Sequence, residues 1–328
     1  MRILYLSCHS IAEYEDIKLF TELGCECLSQ GAYKFPDNPE EKSRLPIPEA
    51  YQNEELKPLL HIPIGTEIPK PLIDWCDLVY ILGIERWLPT NWDRIKHKHV
   101  VFRSIGQSVP HTESVLAKYR RRGLKIVRYS PFERSIPRYV GEDAIIRFYK
   151  DQEEYKDWNG KIEQVITVAQ AMKKRDQFLK YHIFDKVTRG LPRKLYGYHN
   201  EDVDFWGGAL TYEELKKVYR DNRAFFYTST NPAPYTMAFI EAWICGTPVV
   251  AIGPALAGFN IEVPYLIENG VNGFTSDSLV ELRNYVSDLL NDRDLAKQIG
   301  GEGRKSAIEL FGKEKIKHQW KVFFEEIS

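Results

Sequence analysis

At 328 residues the chain exceeds the roughly 100–200 residues of one ordinary domain, so two cores are expected. A composition of 43% hydrophobic, 28% charged and 13% aromatic residues excludes disordered, collagen-like and coiled-coil chains, and no apolar run approaches the ~18 residues of a membrane span. The net charge of -1 excludes a uniformly basic or acidic protein, but it conceals a segment, 94–138, in which twelve Lys and Arg stand against two acids.

The first element is a strand, Arg2 to Ser7. Only four apolar residues precede Ser7, too few for a signal-peptide core, so an internal strand of a cytoplasmic protein is expected. Five scattered cysteines without a C-x-x-C pair indicate neither disulfides nor zinc. After the strand, His9, Glu13 and Asp16 cluster at the head of a helix predicted over Glu13 to Leu23. A histidine beside carboxylates binds an acceptor hydroxyl or works as an acid or base; alternatively it caps the helix. A proline-rich stretch, Pro36 to Pro71, reads as a long ordered loop. Strands follow at Leu78 to Leu82, His99 to Ser104 and Lys125 to Tyr129, with a helix over Thr112 to Arg122. In the loop Arg103 to Ser108, Gly106 and Gln107 follow a strand and should face a ligand cleft. The basic segment, with Arg121 in its triple-arginine run, is either the footprint of a polyanion or a solvated basic surface.

Phe148 to Gly160 is polar, lacks a strand signal and reads as an interdomain connection. The strand pattern then begins again: Gln164 to Ala169, Lys194 to Tyr198, Ala224 to Thr228 and Pro248 to Ile252, with helices over Tyr212 to Asp221, Thr236 to Cys245 and Ser278 to Asn291. Strands alternating with helices predict βαβ units and parallel sheets. The final run, Lys313 to Ile327, is an amphipathic helix that needs a surface to cover.

In such folds ligands sit at the carboxyl ends of the strands. Gly207 and Gly208 allow close backbone approach to a flat ligand, or simply make a turn. The helix from Thr236 turns its unpaired amides toward a phosphate, with Tyr235, Thr236 and Met237 at its head. Glu241 lies in the apolar run FIEAWIC and must find a partner, either a ribose diol or a salt bridge from a neighbouring helix. Lys173, Lys174 and Arg175 follow the strand that ends near Ala169.

The succession of Gly-Gly, an EEL helix, FIEAWICGTPVVA and VPYLIENGVNGF resembles the donor half of retaining glycosyltransferases of the GT-B fold, the large family-four group, over about Gln164 to Ser328. The resemblance implies an α/β architecture of two Rossmann-like domains facing across a cleft. These are an acceptor domain over 1–150, a nucleotide-sugar donor domain over 151–312, and a helix over 313–328 crossing back to the first domain. It implies a sugar transferred from a nucleotide-diphospho-sugar, a UDP-type donor, to a hydroxyl with retention of configuration, with no metal and no cofactor. Glu241 then corresponds to the glutamate that holds the ribose, while Ala233 stands where the family has a first glutamate, eight residues earlier. Gln170 and Arg175 occupy the positions of an Arg and Lys that neutralise the diphosphate, so one cation is kept. Arg175, Lys174 and His9 are the expected catalytic groups. Glu241, Tyr235, Thr236, Met237, Gly208 and Gln170 are expected to bind donor, and Glu13, Gln107, Arg103 and Arg121 lie on the acceptor side. The basic first domain suits DNA carrying a hydroxylated or hydroxymethylated base, or an anionic membrane presenting a glycolipid or surface-polysaccharide precursor. The rival of another class is a non-catalytic nucleotide-sugar binding module. An NAD-dependent oxidoreductase ranks last because the first strand is followed by no G-x-G-x-x-G.

Overall fold

The computed structural model describes residues 1–30, 53, 55–106 and 109–327. It contains two compact units, Met1–Phe148 with Ile316–Ser328, and Tyr149–Lys315. Half of the expected Pro36 to Pro71 loop lies outside the described residues, and the other half holds a short 3-10 helix at Lys57–Leu60.

In the first unit, β1 (Arg2–Leu6), β2 (Glu26–Ser29), β3 (Leu78–Leu82), β4 (His99–Arg103), β5 (Lys125–Arg128) and β6 (Ala144–Ile145) form a sheet in the order β2-β1-β3-β4-β5-β6. Every pairing is parallel, with Leu4 opposite Val79 and Tyr80 opposite Val101. The run LVYIL of β3 is buried at all five positions, as a strand covered on both faces requires. Within the same unit, the helix Lys313–Ile327 buries Ile316, Trp320, Phe323 and Phe324. The Trp320 ring lies 5.0 Å from Phe20 and 5.8 Å from Tyr80, so this amphipathic face covers the surface it needs.

In the second unit, β7 (Ile162–Val168), β8 (Arg193–Tyr196), β9 (Trp206–Gly208), β10 (Asn222–Tyr227), β11 (Val249–Ile252) and β12 (Phe274–Ser276) form a parallel sheet in the order β12-β11-β10-β7-β8-β9. Counted from β7 and read from the other edge, this is the 3-2-1-4-5-6 order of dinucleotide-binding folds. The order reverses between β7 and β10, so the loops that follow these two neighbours run to opposite faces of the sheet and leave a crevice at their carboxyl ends. Val165, Phe226, Val250, Val286 and Leu289 belong to the core beneath it.

A 19-residue helix, Arg293–Phe311, escapes a reading by periodicity because Gly300, Gly301 and Gly303 interrupt it. The structure explains two of the three. A Cβ on Gly300 would meet the Gly246 carbonyl at 2.1 Å, and one on Gly303 would meet Trp243 Nε1 at 2.7 Å. This helix therefore packs at backbone distance against the helix Met237–Cys245, the element whose head faces the crevice.

Candidate functional site

The loop after β7 carries the cations. Arg175 is half-buried, its N–H donates to the Ala171 carbonyl (2.9 Å), and its Nη1 reaches the Gln170 carbonyl (3.4 Å). Lys174 is exposed beside it, and Lys173 is held away by Asp202 at 3.7 Å. Beyond β10 comes the helix Met237–Cys245, capped by Thr236, whose hydroxyl accepts from Phe239 N–H at 3.4 Å. The first turn of a helix leaves amides without intrahelical partners, and the cap serves only one of them, so those of Met237 and Ala238 lie beyond its reach. Gly246 closes the helix in the left-handed region, φ 88°. Tyr235 sits differently: its ring is buried with its edge against Phe311 at 5.1 Å, so its side chain is not presented to a ligand.

The two glycines divide their work. A Cβ on Gly207 would strike the Tyr196 ring at 2.3 Å, whereas Gly208, with φ 106°, has nothing within 4 Å. Gly208 is thus the position with room for a ligand at the end of β9.

Glu241 is paired inside the protein. Its carboxylate lies 2.8 Å from Lys150 Nζ and accepts from Tyr219 Oη at 3.1 Å, and Lys150 and Glu241 are 0% and 2% exposed. Burial, with this carboxylate beside it, raises the Tyr219 phenol well above its ordinary pKa, so it stays a donor. Lys150 also reaches Tyr212 Oη at 3.4 Å and lies 5.1 Å from that ring's centroid. The salt-bridge alternative is what the structure holds, but the cation comes from the interdomain stretch rather than a neighbouring helix. No local signal marks Lys150: it is one lysine in a polar segment. Ala233 is buried in a tight turn with its N–H on the Thr230 carbonyl at 2.6 Å.

In the first unit lie His9, expected to be catalytic, and the residues expected on the acceptor side. His9 caps the helix Ser10–Glu22, its Nδ1 accepting from Ala12 N–H at 3.3 Å. Glu13 is wholly buried and accepts from Ser29 Oγ. Arg103, expected on the acceptor side, is instead wholly buried: Asp16 supplies its counter-charge, and Phe148 and Trp320 flank it at 4.0 and 5.0 Å. Asp16 in turn accepts from Tyr5 Oη (2.7 Å) and Tyr80 Oη (3.0 Å). Glu13 and Arg103 therefore present no exposed group to an acceptor. Gln107 lies outside the described residues. Arg121 is exposed.

The basic segment is much less positive in space than in sequence. Arg94 meets Glu67, Lys96 and Arg122 meet Asp93, Arg120 and Lys125 meet Asp143, and Arg134 meets Glu142, all acids from outside the segment. Arg128 is buried, with Glu113 accepting from both terminal guanidinium nitrogens at 2.8 Å and Glu133 at 3.5 Å. Lys98 donates to the Cys76 carbonyl at 2.7 Å, and among the described residues no carboxylate pairs with it or with Lys118, Arg121 or Arg138. The five cysteines are free thiols, and burial pushes the Cys245 thiol up to about 12. Among the described residues there is no group of three His, Cys, Asp or Glu placed to hold a metal, and no helix long and apolar enough to cross a membrane.

Residues 140–306 match the model of the family Glycosyl transferases group 1. The poly(ribitol-phosphate) alpha-N-acetylglucosaminyltransferase of Staphylococcus aureus (strain COL) is 27% identical over 174 residues, 50% of this chain and 32% of that protein. The match thus spans about a third of the relative's length. Among solved structures, Anabaena HepE in complex with UDP-glucose superposes with a TM-score of 0.68 at 17% identity, over 99% of this chain and 100% of that one. An alpha-glucosyltransferase in complex with UDP-glucose and DNA containing an abasic site gives 0.64 at 15% identity, over 100% and 99%. These likenesses show the fold, that of GT-B glycosyltransferases.

Proposed function

The chain belongs to the glycosyl transferases group 1 family, and from that membership we propose that it moves a sugar, glucose or N-acetylglucosamine, from a UDP-sugar to a hydroxyl of a phosphate-bearing polymer with retention of configuration. The observation that carries this reading is the pair of loops at the reversal of the second sheet, one bearing Lys174 and Arg175 and the other the head of the helix Met237–Cys245. In the reaction the bond from the sugar C1 to the β-phosphate oxygen breaks. The acceptor oxygen attacks C1 from the same face, and its proton passes to the departing phosphate. Negative charge grows on that phosphate, where fixed cations and amides stabilise it without rearranging. Arg175 and Lys174 take that role, with the amides of Met237 and Ala238, and no metal or cofactor is needed for it. Gly208 leaves space for the flat base, and Gln170 stands at the entrance to the same loop.

The polymer part of the reading is supported by the relative that acts on poly(ribitol-phosphate), and by Lys118, Arg121 and Arg138, cations without a carboxylate partner among the described residues, which suit spaced phosphates. A DNA base carrying a hydroxyl is the second acceptor, favoured by the structural likeness to an enzyme bound to UDP-glucose and DNA. Ala233 in place of the first family glutamate favours a module that binds a nucleotide sugar without turnover. One experiment separates the three. UDP release is followed from UDP-glucose and UDP-N-acetylglucosamine, with poly(ribitol phosphate), with hydroxymethylated DNA, and with neither. Release dependent on the polymer supports the reading, dependence on DNA moves it to the second acceptor, and binding without release makes the chain a module.

A further inference from the structure

Asn200 belongs to none of the sequence motifs, yet it is wholly buried and every polar atom of its amide is engaged. Its Nδ2 lies within hydrogen-bond reach of the carbonyls of Ala169 (2.8 Å), Gly197 (3.0 Å) and Tyr198 (3.1 Å), and its Oδ1 accepts from Met172 N–H at 2.7 Å. Two of these partners, Ala169 and Met172, bracket Gln170 and Ala171 at the root of the loop that carries Lys174 and Arg175. The other two lie in the turn after β8.

The two loops are joined further by Ala171 N–H on the Tyr198 carbonyl at 2.9 Å. Gly197 approaches so closely that a Cβ there would stand 2.3 Å from the Ala169 carbonyl. Ala171 has φ 47°, a left-handed conformation that an alanine keeps only when its surroundings hold it. Arg175 hangs from this strained turn, its N–H on the Ala171 carbonyl and its guanidinium on the Gln170 carbonyl. A continuous run of hydrogen bonds therefore leads from the Asn200 amide to the Arg175 side chain.

We propose that Asn200 is a positioning residue for the diphosphate site: it fixes the loop from Ala169 to Met172 in the one conformation that presents Arg175 to the departing phosphate. This rests on the donor-site reading above. Without the amide, Ala171 relaxes toward ordinary backbone and the guanidinium moves, while the base and ribose contacts stay where they are.

The test is calorimetric titration of UDP and of uridine into the wild-type chain, Asn200→Ala, Arg175→Ala and the double variant. Asn200→Ala should weaken UDP binding by about 10-fold and leave uridine binding unchanged, since misplacement by an ångström suffices for losses of this size. In the Arg175→Ala background the same substitution should change UDP affinity by less than about twofold, because residues that act through one another are not additive. Equal losses for UDP and uridine, or equal losses in both backgrounds, would overturn the proposal. Unchanged UDP binding in Arg175→Ala alone would instead sink the donor-site reading. Asn200→Ser keeps one donor and should fall between wild type and alanine. If neither Asn200 variant melts cooperatively, Asn200 serves the fold as a whole and the proposal is overturned.

Discussion

Lys150 and Glu241 take two opposite charges out of water together, which makes either one costly to leave alone. Glu241→Ala should destabilise the protein by about 3–5 kcal/mol, whereas Lys150→Met combined with Glu241→Gln should recover most of the melting temperature. A Glu241→Ala variant that melts like wild type would show that the pair is not needed. Glu133 poses a titration problem instead. Burial pushes its carboxyl up to about 7 from the ordinary 4.5, although Arg128, Ser104 and the amides of Tyr129 and Ser130 pull the other way. The folded state thus holds this proton more tightly than the unfolded chain. The stability it contributes is complete below about pH 4.5 and is lost as pH rises through about 7. Glu133→Gln should flatten the fall in melting temperature between about pH 5 and 8, and a fall of unchanged slope would assign it to another group. At Arg175, alanine should lower the rate of UDP-sugar turnover by about 10²–10³, since its charge acts most on the leaving phosphate. Equal losses in rate and in UDP binding would argue for uniform binding.

Among the elements, the helix Met237–Cys245 is held in place by the glycines of the helix Arg293–Phe311, and that contact can be probed without touching the site. Gly300→Ala forces a methyl onto the Gly246 carbonyl and should cost about 1–3 kcal/mol by overpacking. Gly301, one residue on, has nothing within 4 Å, so Gly301→Ala should stabilise by up to about 1 kcal/mol through helix propensity. Denaturant melts of the two variants decide it. Losses of equal size would mean that the glycines act through backbone entropy and not through close packing. The same contrast explains what periodicity could not see: the helix was hidden by residues chosen for a neighbour far away in sequence. The short strands β2, β6, β9 and β12, of two to four residues, were hidden because their pairing partners, not their own composition, make them strands.

At the scale of the molecule, charge that is concentrated in sequence is largely cancelled in space. If Lys118, Arg121 and Arg138 form what remains of a polyanion footprint, reversing Lys118 and Arg121 should raise the Michaelis constant for a polymeric acceptor and leave that for the UDP-sugar alone. For duplex DNA the slope of log K against log[salt] should then be no steeper than about -3, from -0.9 per phosphate neutralised, and not the far larger value that a +10 segment suggests. A steeper slope would place further cations on the path of the polymer. The repeated strand and helix alternation, the cations after β7, the helix head near Thr236 and the amphipathic last helix are all legible along the chain. All of these follow from local pattern: periodicity, caps and turn residues act over a few positions and leave their mark there. That Glu241 belongs to Lys150, that Arg103 belongs to Asp16 and that Asn200 ties two loops together emerges only once the chain is folded. Those pairings join residues 28 to 91 positions apart, or bury charges that are legible in sequence only as charges, and burial is a property of the whole fold.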